Sequence, residues 1–191
     1  MTNRRRVLHC AAVTIGAITL LTGCNRDDLG SNTPHASATT TTTPSTPTSF
    51  NGCQLPQSVV DAEQIDSNPM NADADADGGI KFRGCVWSTH NGDGFNINTW
   101  TTNLTVQMIE TMSDYKVAER LTVDGRRAVT YHTSDDVDLR EDCMIDVEMK
   151  GGGLDLLVDN PPSHKATGIQ DSCEIIKRVA GEIVSTFPAS A

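Results

Sequence analysis

Four cysteines, Cys53, Cys85, Cys143 and Cys173, are spread through residues 51–191 of this chain, and they constrain its fold more than any other feature. An even set in one domain's length of chain can close two disulfides, and four cysteines allow three connectivities. We expect sequence neighbours to pair, Cys53–Cys85 and Cys143–Cys173, because each bridge then ties a flanking helix to a strand. Zinc is the rival use of the same residues, but no two of them have the short spacing of a zinc knuckle. Each bridge is expected to stabilise the domain by about 2–4 kcal/mol.

The disulfide reading needs an oxidising compartment, and the N-terminus supplies the argument for one. Arg4, Arg5 and Arg6 form a basic n-region, and the apolar run "VLHCAAVTIGAITLL" follows it. That layout is a secretory signal, and the run is short of the roughly 20 apolar residues a membrane span needs. "LTGC", Leu21 to Cys24, then resembles a bacterial lipobox. The resemblance implies a signal peptide over 1–23 and a Cys24 that carries diacylglycerol and a fatty acid such as palmitate. More than one acyl chain holds a protein stably at a bilayer, so the expected location is the extracytoplasmic face of the cell membrane. "RRRVL" also loosely resembles a twin-arginine signal, which leaves the export route open.

Residues 24–50 hold the anchor cysteine and a Thr/Ser/Pro-rich linker, "SNTPHASATTTTTPSTPTS". Such a run buries too little apolar surface to offset its ordering entropy, so it reads as a spacer. Residues 51–191 then make one domain. The whole chain carries a net charge of −10, and its three leader arginines are among only 15 basic residues, against 25 acidic ones. An acidic domain of this kind argues against nucleic acid and against direct adhesion to an anionic bilayer.

Hydrophobic periodicity gives the fold class. "CQLPQSVVDAEQID" reads as a short helix with Pro56 in its first turn, and residues 67–80 read as a loop. "KFRGCVWSTH" and "FNINTW" form one hairpin, "AERLTVDGRRAVTYH" a second, and "CMIDVEMK" with "LDLLV" a third. In the third, Cys143, Ile145, Val147 and Met149 are expected to face inward, and Met144, Asp146, Glu148 and Lys150 outward. "LTVQMIETMSDY" has helical spacing. Ile169, Cys173, Ile176, Val179, Ala180, Ile183, Val184 and Phe187 share one face of a closing helix. The sum is α+β: an antiparallel sheet of about six strands, with one face packed by two to three helices.

These segments in this order also resemble a known family. "FNGCQLP", "GCVWS", "VDGRRAV", "CMIDVEM", "LDLLV" and "DSCEIIKRVAGEIVSTFP" are similar to an actinobacterial lipoprotein family, domain of unknown function 3558. The resemblance covers most of residues 50–188, together with the lipobox and linker. It implies a small exported domain with cysteines at these places, and it implies no reaction. The acidic loop at 66–80 departs from the family pattern.

Candidate chemistry is sparse. There is no Gly-x-Ser-x-Gly elbow. The domain's histidines, His90, His132 and His164, lack a His-Glu-x-x-His context. "SDDVDLRED" at 134–142 reads as a solvated acidic loop. Arg126 and Arg127 fall on opposite faces of their hairpin, and Trp87 is expected in the core beside a disulfide. "DADADGGIKFRG" begins like a calcium loop, with Asp73, Asp75 and Asp77 at the first three ligand places. The twelfth place, a bidentate Glu in an EF-hand, is Gly84 here, and a strand follows where a helix should exit. The expectation is a monomeric, non-catalytic module without a cofactor that binds an envelope protein or small ligand. The alternatives are an envelope enzyme, such as a hydrolase with dispersed residues, and a weak calcium-binding module.

Overall fold

The computed structural model describes residues 45–136 and 140–188. The signal, Cys24, most of the linker and residues 137–139 of the acidic loop lie outside them. Three hairpins organise the described chain. Strands β3 (Ile80–Ser88) and β4 (Asn96–Thr102) form the first, β5 (Tyr115–Val123) and β6 (Arg126–Thr133) the second, and β7 (Asp142–Met149) and β8 (Gly152–Asp159) the third. The second turns on Asp124 and Gly125, both at positive φ (46° and 79°). Two such residues make a turn whose twist matches its strands, and an Asp-Gly pair adopts it at little cost.

Two further strands, β1 (Met70–Asn71) and β2 (Ala74–Ala76), run antiparallel along the outer edge of β3. They correct the expectation of a loop over 67–80, and they bring the described sheet to eight strands. Alanine and aspartate are poor strand formers, so this segment pairs because β3 offers it an open edge.

The main path of the sheet is β1-β3-β4-β8-β7-β6-β5. After β4 the chain crosses to the far edge through helix α2 (Val106–Thr111) and returns strand by strand to pair β8 with β4. That crossing places α2 against β5, β6 and β7. The closing helix α3 (Ser172–Val184) packs against β7 and β8, and α1 (Gln57–Ala62) lies beside it. Helices α3 and α2 serve separate cores. Trp87, Ile97, Ile145, Leu154, Leu156 and Val158 pack with Ile175, Ile176, Val179 and Ile183 of α3. Ile80, Val129 and Tyr131 pack with Leu104, Val106 and Ile109 at α2, with Phe82, Tyr115 and Met144 around them.

The sheet is therefore covered on both faces, which corrects the one-faced expectation. Glu148 and Lys150 do point to solvent, but Met144 and Asp146 on the same side of β7 lie beneath α2. The start of α3 also shifts. Asp171 caps it by accepting the N–H groups of Cys173 and Glu174, so Ile169 precedes the helix and is 92% exposed. Phe187, beyond the helix end, packs on Phe50 with ring centroids 5.1 Å apart. Disulfides join Cys53 to Cys85 and Cys143 to Cys173. The first fastens the segment before α1 to β3, and the second fastens α3 to β7.

Candidate functional site

The most unusual chemistry of the molecule is a pair of carboxylates inside the α2 core. In the β7–β8 pairing, Asp146 stands directly opposite Asp155, so their side chains leave the same face of the sheet. Asp146 is 0% exposed and Asp155 1%. The Tyr131 hydroxyl donates to Asp155 Oδ2. Neither oxygen of Asp146 has a hydrogen-bond partner. Gly153 makes room for it: a Cβ there would lie 2.0 Å from Asp146 Oδ2. Tyr115 meets Tyr131 edge to face at 5.1 Å.

Burial disfavours charge, and each carboxylate disfavours charge on the other. Asp155 is pushed up to about 7, chiefly by burial, and the Tyr131 hydrogen bond opposes the rise. Asp146 is raised well above the ordinary carboxylate range by burial and then by Asp155 and Glu148. Tyr131 is raised by the same burial and by Asp155. At neutral pH the pair therefore holds at least one proton, which gives an otherwise unpartnered carboxyl a donor to offer.

Nothing in periodicity exposed this pair. Asp146 sits at a position that alternation assigns to solvent, and only the Asp inside the apolar run "LDLLV" hints that its strand is buried on both faces. A third buried acid was also unforeseen. Glu63 receives a two-pronged ion pair from Arg178, 2.6 Å from Nε and 2.8 Å from Nη2, which clips the end of α1 to α3.

The residues singled out by sequence are largely dispersed. Asp73 lies just before β2 and Asp75 within it, while Asp77 starts the tight turn Asp77–Gly79. Asp73 Oδ1 accepts the Gly84 N–H at 2.9 Å, and that bond, followed by Asn71, holds its carboxyl below the usual range. Asp75 pairs with Arg83. Among the described residues, the one group of three His, Cys, Asp or Glu side chains with ligand atoms within 4.8 Å of one another is His132, Cys143 and Cys173, whose sulfurs form the bridge. His90 and His164 are not part of it. Trp87 is buried, and its indole N–H donates to Gly52 O and Thr99 Oγ1. Arg126 donates to Pro188 O beside Phe187, whereas Arg127 pairs with Glu110 of α2 on the opposite face. Ser113 and Lys116, which were not among the residues singled out, have a Ser-x-x-Lys spacing but assemble no pair. Lys116 Nζ donates to Ser134 O and Ser113 Oγ turns to Asp114.

Solvent-open concavities lie elsewhere: one of about 450 Å³ lies between residues 45–49 and the turn at Lys150 and Gly151, and others lie along the β1–β3 edge. A groove of about 490 Å³ runs between residues 46–53 and β3, and Phe50, Asn51, Asn71, Asp73, Arg83 and Thr101 contribute to its walls. A second hollow, of about 670 Å³, includes Asp66, Asn68, Met70 and Asn91. In it Asp66 is already engaged, accepting the N–H groups of Asn91 and Gly92.

The sequence matches the family described as Protein of unknown function (DUF3558) over residues 19–186. The chain belongs to that family. No curated protein matches this DUF3558 chain, and no solved structure does. The match spans both cores, both disulfides and the edge groove.

Proposed function

We propose that this DUF3558 protein is a cell-envelope lipoprotein. Residues 1–23 export it, Cys24 carries the lipid, and the part of the 24–50 linker that precedes the groove-lining stretch from Thr46 holds the domain away from the bilayer. The domain, residues 51–191, acts as a non-catalytic binding module on the extracytoplasmic side of the membrane. One observation carries the binding reading: the accessible groove and the buried carboxylates of raised proton affinity, Asp146 and Asp155, are in different places. The edge groove offers an aromatic ring, amides, a hydroxyl and a charge pair, which suits recognition of a polar segment of an envelope protein or a small polar ligand. The carboxylates with raised proton affinity, which acid–base chemistry at neutral pH would use, sit beneath α2 at 0% and 1% exposure.

Site-specific photo-crosslinkers on intact cells test the reading. Positions Asn71 and Thr48, both exposed at the groove, are expected to capture one discrete partner, and the exposed control position Ile169 is not. Equal capture from all three positions, or none from the groove, would sink the groove as a binding site. Replacing Cys24 by Ala should move the protein from the membrane fraction to the medium. Retention in the membrane would remove the lipid-anchor reading.

A further inference from the structure

The two disulfides are alike in several respects. Each joins a buried cysteine, Cys85 or Cys143, to a partly exposed one, Cys53 or Cys173. Their Cα atoms are 5.0 and 5.1 Å apart, and they close loops of nearly equal length, with sequence separations of 32 and 30. Loop entropy and access therefore treat them equally. Their surroundings differ. Cys53 lies in the segment before α1, and Cys85 shares its core with Trp87, whose polar hydrogen is used on Gly52 and Thr99. Cys173 is the second residue of the 13-residue helix α3, and the imidazole Nε2 of His132 lies 3.7 Å from its Sγ.

His132 is 4% exposed, and its Nδ1 has no hydrogen-bond partner. A disulfide sulfur is a weak acceptor, so the imidazole is buried with both nitrogens poorly satisfied, which costs free energy. Opening the bridge changes that. A Cys173 thiolate is a strong acceptor for an Nε2–H, and an adjacent imidazole is one of the surroundings that lower a thiol's pKa. The other charged groups here partly cancel. Asp171 Oδ1 accepts the Cys173 N–H at 2.9 Å and thereby offsets the positive helix end. Arg140 lies 3.9 Å from Asp171 Oδ2, and Glu174 pairs with Lys177. His132 is left as the group that distinguishes this bridge.

We propose that Cys143–Cys173 is a redox-active disulfide that exchanges with thiols and dithiols at Cys173, while Cys53–Cys85 is structural. An attacking thiolate forms a bond to Cys173 Sγ. The bond between the two protein sulfurs breaks, and Cys143 leaves with its electron pair. The second sulfur of a dithiol then attacks its own partner sulfur in the mixed disulfide and releases Cys173 as a thiolate beside His132. Two electrons and two protons pass to the protein pair, and the dithiol is oxidised to a disulfide. A stabilised reduced form makes a disulfide the stronger oxidant of two otherwise equal ones.

The test is to equilibrate the intact protein, extracted in detergent, in graded mixtures of reduced and oxidised glutathione. Free thiols are then alkylated and read peptide by peptide. Cys143 and Cys173 are expected to open in mixtures about tenfold or more less reducing than Cys53 and Cys85 require, the scale set by a modestly lowered thiol pKa. Trapped glutathione should sit on Cys173, and His132→Gln should close most of the gap. Simultaneous opening, earlier opening of Cys53–Cys85, or an unchanged gap in His132→Gln overturns the proposal. A second measurement uses single thiols. Cys143→Ala leaves Cys173 free and Cys85→Ala leaves Cys53 free, and the pH dependence of iodoacetamide alkylation titrates each. Cys173 should titrate at least about one pH unit below Cys53. An equal or higher value overturns the proposal as well.

Discussion

Leu156 and Asp155 are neighbours on β8, yet they belong to opposite worlds. Leu156 points into the α3 core among branched aliphatic side chains. Asp155 points under α2, beside Asp146 and Tyr131. Both are sealed from solvent. One face of the sheet is held by apolar burial, which no titration alters. The other includes two acids whose burial costs more as they lose protons. Burial in this protein therefore has two energetic meanings, and only one of them depends on pH.

The largest expected effect tests the apolar face. Leu156→Ala should lower unfolding free energy by about 2–5 kcal/mol, the range for emptying a packed aliphatic site. Urea unfolding at pH 5 and pH 8 should show the same loss at both. A loss that differs strongly between the two would break the contrast between faces.

The next effect tests the acidic face. Asp155 has a raised folded-state affinity for its proton, at about 7 against 3.8, and Asp146 is shifted in the same direction by its burial. A raised acid leaves stability intact below the unfolded value and removes it as pH rises through the folded value. Stability should therefore fall between about pH 4 and pH 8 by a few kcal/mol, since a tenfold gain in proton affinity on folding corresponds to about 1.4 kcal/mol. Asp155→Asn keeps an acceptor for Tyr131 and should flatten much of that slope. A wild-type urea midpoint that rises over this range would contradict the buried pair.

Gly153→Ala sharpens the comparison further. Its methyl group would collide with the Asp146 carboxyl, and overpacking of this kind costs about 1–3 kcal/mol. Combined with Asp146→Ala the cost should be less than additive, because the colliding atoms are gone. Strict additivity in a double-mutant cycle would mean that the glycine serves the backbone and not the acid.

The smallest effect concerns the α1–α3 clip. Glu63→Gln breaks its ion pair with Arg178. The arginine side chain is 44% exposed and can recover water, so a loss of about 1–2 kcal/mol is expected, between the ranges for surface and buried pairs. A loss above that of Leu156→Ala would overturn the ranking.

Much of this fold could be read from residues alone. The Asp124-Gly125 turn demands positive φ, and a two-residue period flanks it. The α3 stripe from Ile176 to Val184 repeats at helical spacing, and the buried residues follow it. The edge groove was not legible, because its walls come from residues 46–48, 50–53, 71, 73, 83–84 and 101, which only pairing along β3 brings together. The β1–β2 edge was not legible either, since Ala and Asp carry no strand signal of their own.

The three hairpins, the amphipathic closing helix and the α+β class follow from local sequence pattern, because these rest on interactions a few residues apart. Alternation along β7 says that Ile145 and Asp146 face opposite ways. It cannot say what covers either face. Tertiary structure alone decided that, when the crossing from β4 to β5 laid α2 over the second face and closed Asp146 and Asp155 off from water. The same long-range packing put His132 of β6 beside Cys173 of α3. Desolvation and contact depend on distance in space, and residues far apart in sequence acquire them only once the sheet has formed.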